Sequence, residues 1–581
     1  MVIHNSCPGN KGNIWLFWNK SIAQPQVISV SSQMIIVSIG DVLVSGVHAH
    51  VKVVQMRFLW SERKLSDLNK PWIILGDFNA VLTQEEKVGG KLPNRNSMLD
   101  FNDCLDKCEL LQAPRTGLQY TWSNCQHGSK RILCTLDRVV FNQKWLQFYG
   151  DWGYKVGMRV VSDHAPLLGG CASIPKPNNV PRNFQKMWLS HPNFLQVVDD
   201  CWAEPIVGDP AFQFLQKLKV LNKVLNEWNW NVFGNVQTKI KEAEIKVKEA
   251  TQFSDDNPFD EKALNDLVMA ENEYASREVQ EKTLLRQKYR VKWIQEGSAN
   301  TNFFHTIMKI RNSRNMISEL EDYNGNVMTN QTQISDFLVQ HFKKKFEFQP
   351  VDDAEQLLKV IPKMVTEEDQ QNLDVIPEAE EIKNIIFEMD PESAPGPDGF
   401  SGIFYRSCWE TIKYDLVAAI QSCWRRKFIP KGMNSSFLVL LPKTQGAKTA
   451  NHFRPIGLSN VIFKIFTKVI TKRMNGIMEK LISPQQVAYV KGRSIHEQVL
   501  LASELVNEMK VKRRGGNVGI KLDISQAYDS VSWEFLIKVL IQYGFSASWC
   551  DWIITLFKSA RMSVMVNGGP CGFFQVERGL R

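Results

Sequence analysis

Four short stretches of this chain set carboxylates, an amide and an imidazole where they could do phosphate chemistry. In GGNVGIKLDISQAYDSVSW (residues 515–533) the apolar run 518–522 reads as a buried strand that delivers Asp523 at its mouth, with a turn into a helix behind it. A carboxylate so placed can hold Mg2+, a hard cation that takes oxygen ligands and keeps its remaining positions for triphosphate oxygens. PWIILGDFNA (residues 71–80) is an apolar strand ending in Asp77 and Asn79, two residues apart and so on one face of an extended backbone. Asp163 and His164 follow a further apolar run, 156–161, and Asp137 stands in TLDRVVF beside strand-like sequence. Each has an ordinary reading alone: Asp523 as a helix cap, the Asp and Asn residues as turn formers, the His as a structural hydrogen-bonder. Together Asp77, Asn79, Asp137, Asp163 and His164 supply what metal-assisted phosphodiester hydrolysis needs. A carboxylate and an amide orient water and phosphate, and a carboxylate-paired His stabilises developing negative charge.

These groups need several elements to position them, and 581 residues are too many for one core, so two or three domains with linkers are expected. A 44% hydrophobic and 23% charged composition is that of ordinary globular protein. The net charge of +9 leans weakly toward a polyanionic partner. Eleven Cys with no C-x-x-C pair read as reduced intracellular thiols. No apolar run is long enough to span a bilayer and no signal-peptide layout opens the chain, which reads as soluble.

Residues 1–170 alternate short β-rich runs (14–17, 34–39, 42–47, 72–75, 156–161) with polar connections and one helix near 56–68, the pattern of a layered α/β or sandwich domain. From residue 181 the pattern turns helical. Residues 212–236 carry near-heptad apolar spacing, and the charged stretch 238–289 reads as a solvated helical hairpin turning at SDDNPFD (254–260), with phosphate contact as its other reading. In 289–312, Trp293 and its aromatic neighbours could stack bases or could be core. EDYNGN (321–326) predicts a tight hairpin, and DPESAPGP (390–397) a boundary or an ordered loop.

In this order GDFN, TWSN, LDR and SDH resemble the apurinic-endonuclease-like domain of plant non-LTR (long interspersed) retrotransposons, in the endonuclease/exonuclease/phosphatase superfamily, over about residues 10–168. The resemblance implies that Asp77 positions the nucleophile, Asn79 holds the phosphate and His164 faces it. It further implies that Asp137 orients His164 and that Asp163 serves the metal or leaving-group side. The family's first strand, with its Asn and its metal-binding Glu, precedes the point where this chain starts, and His48 stands where a Tyr is expected. This domain is therefore expected to have lost its cation and a phosphate-facing hydroxyl.

Farther along come APGPDGFSGIFYRSCW, LVLLPKTQGA, NHFRPIGLSN, SPQQVAYVKGRSIHEQVL, the Asp523 stretch and MVNGGPCGFFQVERGLR, an order that resembles the reverse transcriptase of the same elements. The likeness makes Asp523 a catalytic Mg2+ ligand. Lys443 and Arg454 would neutralise the triphosphate, and Tyr528 would be the steric gate that favours deoxynucleotides. Arg493, Lys491 and Trp293 would touch nucleic acid, with support of the fold as the other reading for Arg493. Two-metal transfer needs further carboxylates, which the family draws from a downstream Asp-Asp hairpin, so one of three ligands falls within these residues. Asp529 is read as structural.

The reading is a multidomain chain. An incomplete α/β sandwich nuclease domain (1–170) precedes a helical connector (171–385) and the α+β fingers and partial palm of a reverse transcriptase (386–581). Its ancestral role is target-primed reverse transcription with Mg2+, an RNA template, a DNA target and primer and deoxynucleoside triphosphates, and it implies nuclear access. The chain itself is read as truncated at both ends and catalytically defective. The alternatives are a nucleic-acid-binding remnant and a non-functional gene relic.

Overall fold

Apolar alternation explains how the N-terminal strands assemble. A computed structural model describes residues 2–7, 11–62, 70–150, 152–171, 177–289, 311, 315–351, 355–444, 447–487, 490, 492–511, 515–520, 522 and 527–580. They divide into two compact units, Met1–Lys176 with Ile294–Ile334 and Leu441–Arg454, and Pro177–Trp293 with Ser335–Leu440 and Pro455–Arg581.

In the first unit a six-stranded sheet runs in the order Gln26–Val30, Met34–Ile39, Val42–His48, Trp72–Asp77, Asp137–Asn142, Leu110–Gln112. Val42–His48 and Trp72–Asp77 pair in parallel; the other pairings are antiparallel. Met34, Ile36, Trp72, Ile74 and Val140 point to one face, against Met56, Leu59, Phe101 and Leu105 of the helices Val53–Glu62 and Arg95–Lys107. Ile73, Val139 and Phe141 point to the other, against Tyr154 and Val156 of a second, three-stranded sheet. Ile35 and Val37 share that second face with Ile14 and Leu16. Burial on both faces is why the central strands read as unbroken apolar runs.

Three expectations for this unit are corrected. The unit holds more than one helix: Arg95–Lys107, capped by Asn94, and the short Gln143–Phe148 join the one foreseen. The strand placed at 156–161 is Trp152–Val156, and Val161 beyond it is 97% exposed. Its ladder ends there because the partner Arg115–Gly117 ends opposite Val156. Asp163 and His164 therefore lie on a loop and not at a strand mouth.

The second unit is built on one apolar cluster. Phe194, Phe214 and Leu221 of the helices Phe194–Ala203 and Pro210–Val232 meet Ile385, Ile412, Ile465 and Trp552 of helices between residues 379 and 558. The helix Val461–Leu481 is tied by Lys472 to Glu388, by Arg473 to Glu381 and by Lys480 to Asp369. Val236–Asp256 and Glu261–Tyr289 form the helical hairpin, turning at 257–260. The Pro-Gly stretch is an ordered loop: Lys464 Nζ donates to Ala394 O at 2.7 Å, and Asp398 N donates to Asn460 Oδ1 at 3.0 Å. Asp398 Oδ2 is enclosed without a hydrogen-bond partner, and burial pushes this carboxyl up to about 7.

The buried strand expected at 518–522 is a further correction. Val518, Ile520 and Leu522 are all more than four-fifths exposed, and residues 515–520 and 522 have no regular structure. A strand needs a neighbour for its N–H and C=O groups, and among the described residues none pairs with this run. No helix among the described residues is long and apolar enough to cross a membrane.

Candidate functional site

One row of the six-stranded sheet ends in polar side chains. In register, His48 stands opposite Asp77 across the parallel pair, and Asp137 stands opposite Asp77 across the antiparallel one. Gly76 makes the approach possible: with φ +137°, a Cβ there would lie 1.9 Å from Val47 O. After Asp77 the chain turns and does not stay extended. Asn79 adopts a left-handed φ of 47°, one that Asn tolerates better than most residues. The shared face expected of an extended backbone is thus corrected to a turn. Asn79 N donates to Asp77 Oδ1 and Asn79 Nδ2 to Asp77 Oδ2, each at 2.8 Å, while Nδ2 also reaches Ala49 O at 2.8 Å.

His164 closes the row from its loop, its Nδ1 2.8 Å from Asp137 Oδ2. Segment 121–123 fastens the loop to the strand. Thr121 Oγ1 accepts from the backbone N–H of Leu136 and of Asp137, both at 2.9 Å, and Ala165 N donates to Thr121 O at 2.7 Å. Trp122 forms a β-bridge with His164, and its indole N–H donates to Asp163 Oδ2 at 3.0 Å. That hydrogen bond, with His164 alongside, lowers the Asp163 carboxyl below the ordinary range. Asp163 is exposed and outside the Asp77, Asp137 and His164 group, whose ligand atoms lie within 4.8 Å of one another.

The electrostatics follow from this crowding. Burial pushes the Asp77 carboxyl up, and Asp137 pushes it further, against the Asn79 N–H, His164 and His48, which pull it down. The hydrogen bond to Asp137 raises His164 above its ordinary value, against partial burial. Two carboxylates and an imidazole are a donor set for a divalent cation, and this is the one such group of three among the described residues. Asp77, Asp137 and His164 thus form a local set able to hold one.

Two supports escaped the sequence reading. Arg138, 1% exposed, holds Glu86 with two hydrogen bonds at 3.0 and 3.2 Å, and its Nη2 also donates to Ala80 O and Thr135 O. Glu86 Oε2 accepts from Leu82 N at 2.6 Å, so the pair ties the turn after Asp77 to the strand start that carries Asp137. A buried Arg inside LDRVVF signals an acidic partner, but the sequence does not say which one. Thr121 carried no signal beyond its place in TWSN.

The other candidates are separately placed. Asp523, Lys491 and Trp293 lie outside the described residues. Lys443 and Arg454, both exposed, belong to the first unit, where Lys443 Nζ donates to Asn451 O at 2.8 Å. Tyr528 is in the second unit, 48% exposed. Beside it Asp529 is buried and paired with Lys345 at 2.8 Å. Arg493 spends its guanidinium on the carbonyls of Ile482, Ser483 and Gln486, which fixes the turn 482–486.

Residues 441–581 match the family described as reverse transcriptase (RNA-dependent DNA polymerase). This stretch is similar to reverse-transcriptase sequence. The Transposon TX1 uncharacterized 149 kDa protein of Xenopus laevis is 25% identical over 284 residues, covering 48% of this chain and 22% of that protein. The retrovirus-related Pol polyprotein from type-1 retrotransposable element R2 of Nasonia vitripennis is 24% identical over 204 residues, 35% of this chain and 19% of that protein. The chain thus spans about a fifth of the length of these relatives. Among solved structures, the endonuclease domain of TRAS1, a telomere-specific non-LTR retrotransposon, is similar at 18% identity, with 30% of this chain and 81% of that one covered and a TM-score of 0.23.

Proposed function

We propose that the chain is part of a plant-type non-LTR retrotransposon polyprotein acting in target-primed reverse transcription. In this reading residues 1–170 are the nuclease domain, 171–385 the connector and 386–581 the fingers and first part of the palm. The observation that carries it is the reverse-transcriptase match over 441–581, which charge supports. That stretch holds 20 Lys and Arg against 9 Asp and Glu, while the other 440 residues hold 50 against 52. The whole positive excess sits where an RNA template and a DNA primer would lie.

Asp523 takes the role of a metal-holding carboxylate in this reading, Lys443 and Arg454 neutralise the triphosphate, and Tyr528 gates the sugar. In the nuclease half, Asp77 orients the attacking water, Asn79, whose amide N–H groups go to Asp77 and Ala49, fixes the Asp77 carboxylate in place of the phosphate role the resemblance gave it, and His164, held by Asp137, faces the phosphate. Mg2+ would supply charge neutralisation to the phosphoryl oxygens at both centres. The product is DNA copied onto a nicked chromosomal end, which requires access to the nucleus.

A second reading, nucleic-acid binding without chemistry, is favoured for these 581 residues by the solvent-exposed Val518, Ile520 and Leu522. Extension of a primer on an RNA template in Mg2+, abolished by Asp523→Ala, establishes the polymerase. Binding that falls steeply with salt and gives no extension selects the second reading. A chain that neither binds nor extends sinks both. Nicking of supercoiled DNA that His164→Ala abolishes and Asp523→Ala spares establishes the nuclease half.

A further inference from the structure

The row His48, Asp77, Asp137 places a second imidazole beside Asp77, on the side away from His164, because residues directly opposite in a ladder share a face of the sheet. Its ring is held by a chain of amides that starts at the backbone. Ile14 N donates to Asn5 Oδ1 at 3.1 Å, and Asn5 Nδ2 donates to Ser31 O at 3.1 Å. A backbone N–H can only donate and a carbonyl only accept, so the Asn5 amide has one orientation. Asn5 Nδ2 also donates to Asn13 Oδ1 at 2.7 Å, which turns the Asn13 amide nitrogen toward His48 Nδ1, 2.8 Å away. Nδ1 must then accept, and the neutral ring carries its proton on Nε2.

We propose that His48 presents Nε2–H as a fixed donor to a non-bridging oxygen of a phosphodiester lying beside Asp77, with Asn5 and Asn13 setting its tautomer. The proposal rests on the nuclease reading of this site and adds a phosphate-binding residue to it. His164 Nδ1 is engaged by Asp137, so both imidazoles keep Nε2 for a ligand, one on each side of the Asp77 carboxylate. Asp77 takes the water, and the two rings take phosphate oxygens.

The test uses the full 581-residue chain with 15N-labelled histidine, the His48 signal being assigned by its absence in His48→Gln. At pH 8, Nε2-protonated His48 is expected, with mixed tautomers in Asn13→Ala. An Nδ1-protonated ring overturns the proposal. On titration with inorganic phosphate, movement of the His48 signal supports it. Movement of His164 without His48 overturns it and leaves the nuclease reading standing, whereas movement of neither sinks both. For a short DNA duplex in EDTA, His48→Ala is expected to weaken binding roughly tenfold, with His48→Gln restoring most of it. Unchanged affinity in His48→Ala overturns the proposal.

Discussion

Two apolar runs in this chain lead to an aspartate, 72–76 to Asp77 and 518–522 to Asp523, and on paper they are equivalent. In the fold they are opposites. The first is paired on both sides and covered on both faces, with Ile74 fully buried. The described part of the second lies in water, with Ile520 81% exposed. An aspartate after an apolar run becomes part of a site when neighbouring strands bring other polar residues into its row, as Val42–His48 brings His48 and Asp137–Asn142 brings Asp137. The run alone does not build the centre.

The hardest blow to the Asp77 side of this comparison should come from Arg138→Met. The substitution leaves Glu86 without its cation and releases the turn after Asp77. Breaking a buried pair from one side costs about 3–5 kcal/mol. Hydrogen exchange is the readout, followed by mass spectrometry on peptides covering 71–82 and 133–142. Exchange there should speed up strongly, with that of 409–426 unchanged. Unaltered protection of 71–82 would mean that the Glu86 and Arg138 pair does not hold the row together.

How much of this was legible beforehand varies with the kind of evidence each residue left. Met34–Ile39 and Trp72–Asp77 announced themselves as unbroken apolar runs because both their faces are buried. Arg95–Lys107 was missed although Met98, Phe101 and Leu105 recur at helical spacing behind the Asn94 cap, because an Asn-rich flank reads as loop. That Asp77 and Asn79 belong to one motif was legible, and the turn that brings them into contact was not, since a turn and a strand can use the same two residues. Val160 and Val161 misled because apolar type does not report burial. Nor could local pattern show that helices before residue 235 and after residue 379 share one core, which is decided by contacts across more than a hundred residues.

A smaller effect sharpens the comparison by pH. The Asp137 hydrogen bond holds the His164 folded value above its ordinary 6.5. A raised histidine contributes stability that is fully present below the unfolded value and is lost as pH rises through the folded one. Asp137→Asn removes the main cause, so wild type should exceed the variant most at pH 6 and least at pH 9. The ring is one-third exposed, and solvent screening limits the change to about 1 kcal/mol. Urea midpoints for exchange protection of 133–142 at pH 6, 7.5 and 9 give the difference. A gap constant across that range would show that His164 carries no net charge on Asp137.

The smallest effect, expected of Ile520→Ala, is the one that could break the comparison outright. Ile74→Ala removes a fully buried side chain from the covered sheet and should cost about 2–5 kcal/mol. Ile520→Ala, the same substitution three residues before Asp523, removes a side chain already in water and should stay within about 0.5 kcal/mol. Both are read in urea as the protection of their own peptides and of the unit that contains them. Should Ile520→Ala lower the stability of the second unit by more than 1 kcal/mol, the run is buried in solution and Asp523 has the paired strand that Asp77 has. The contrast between the two aspartates would then vanish.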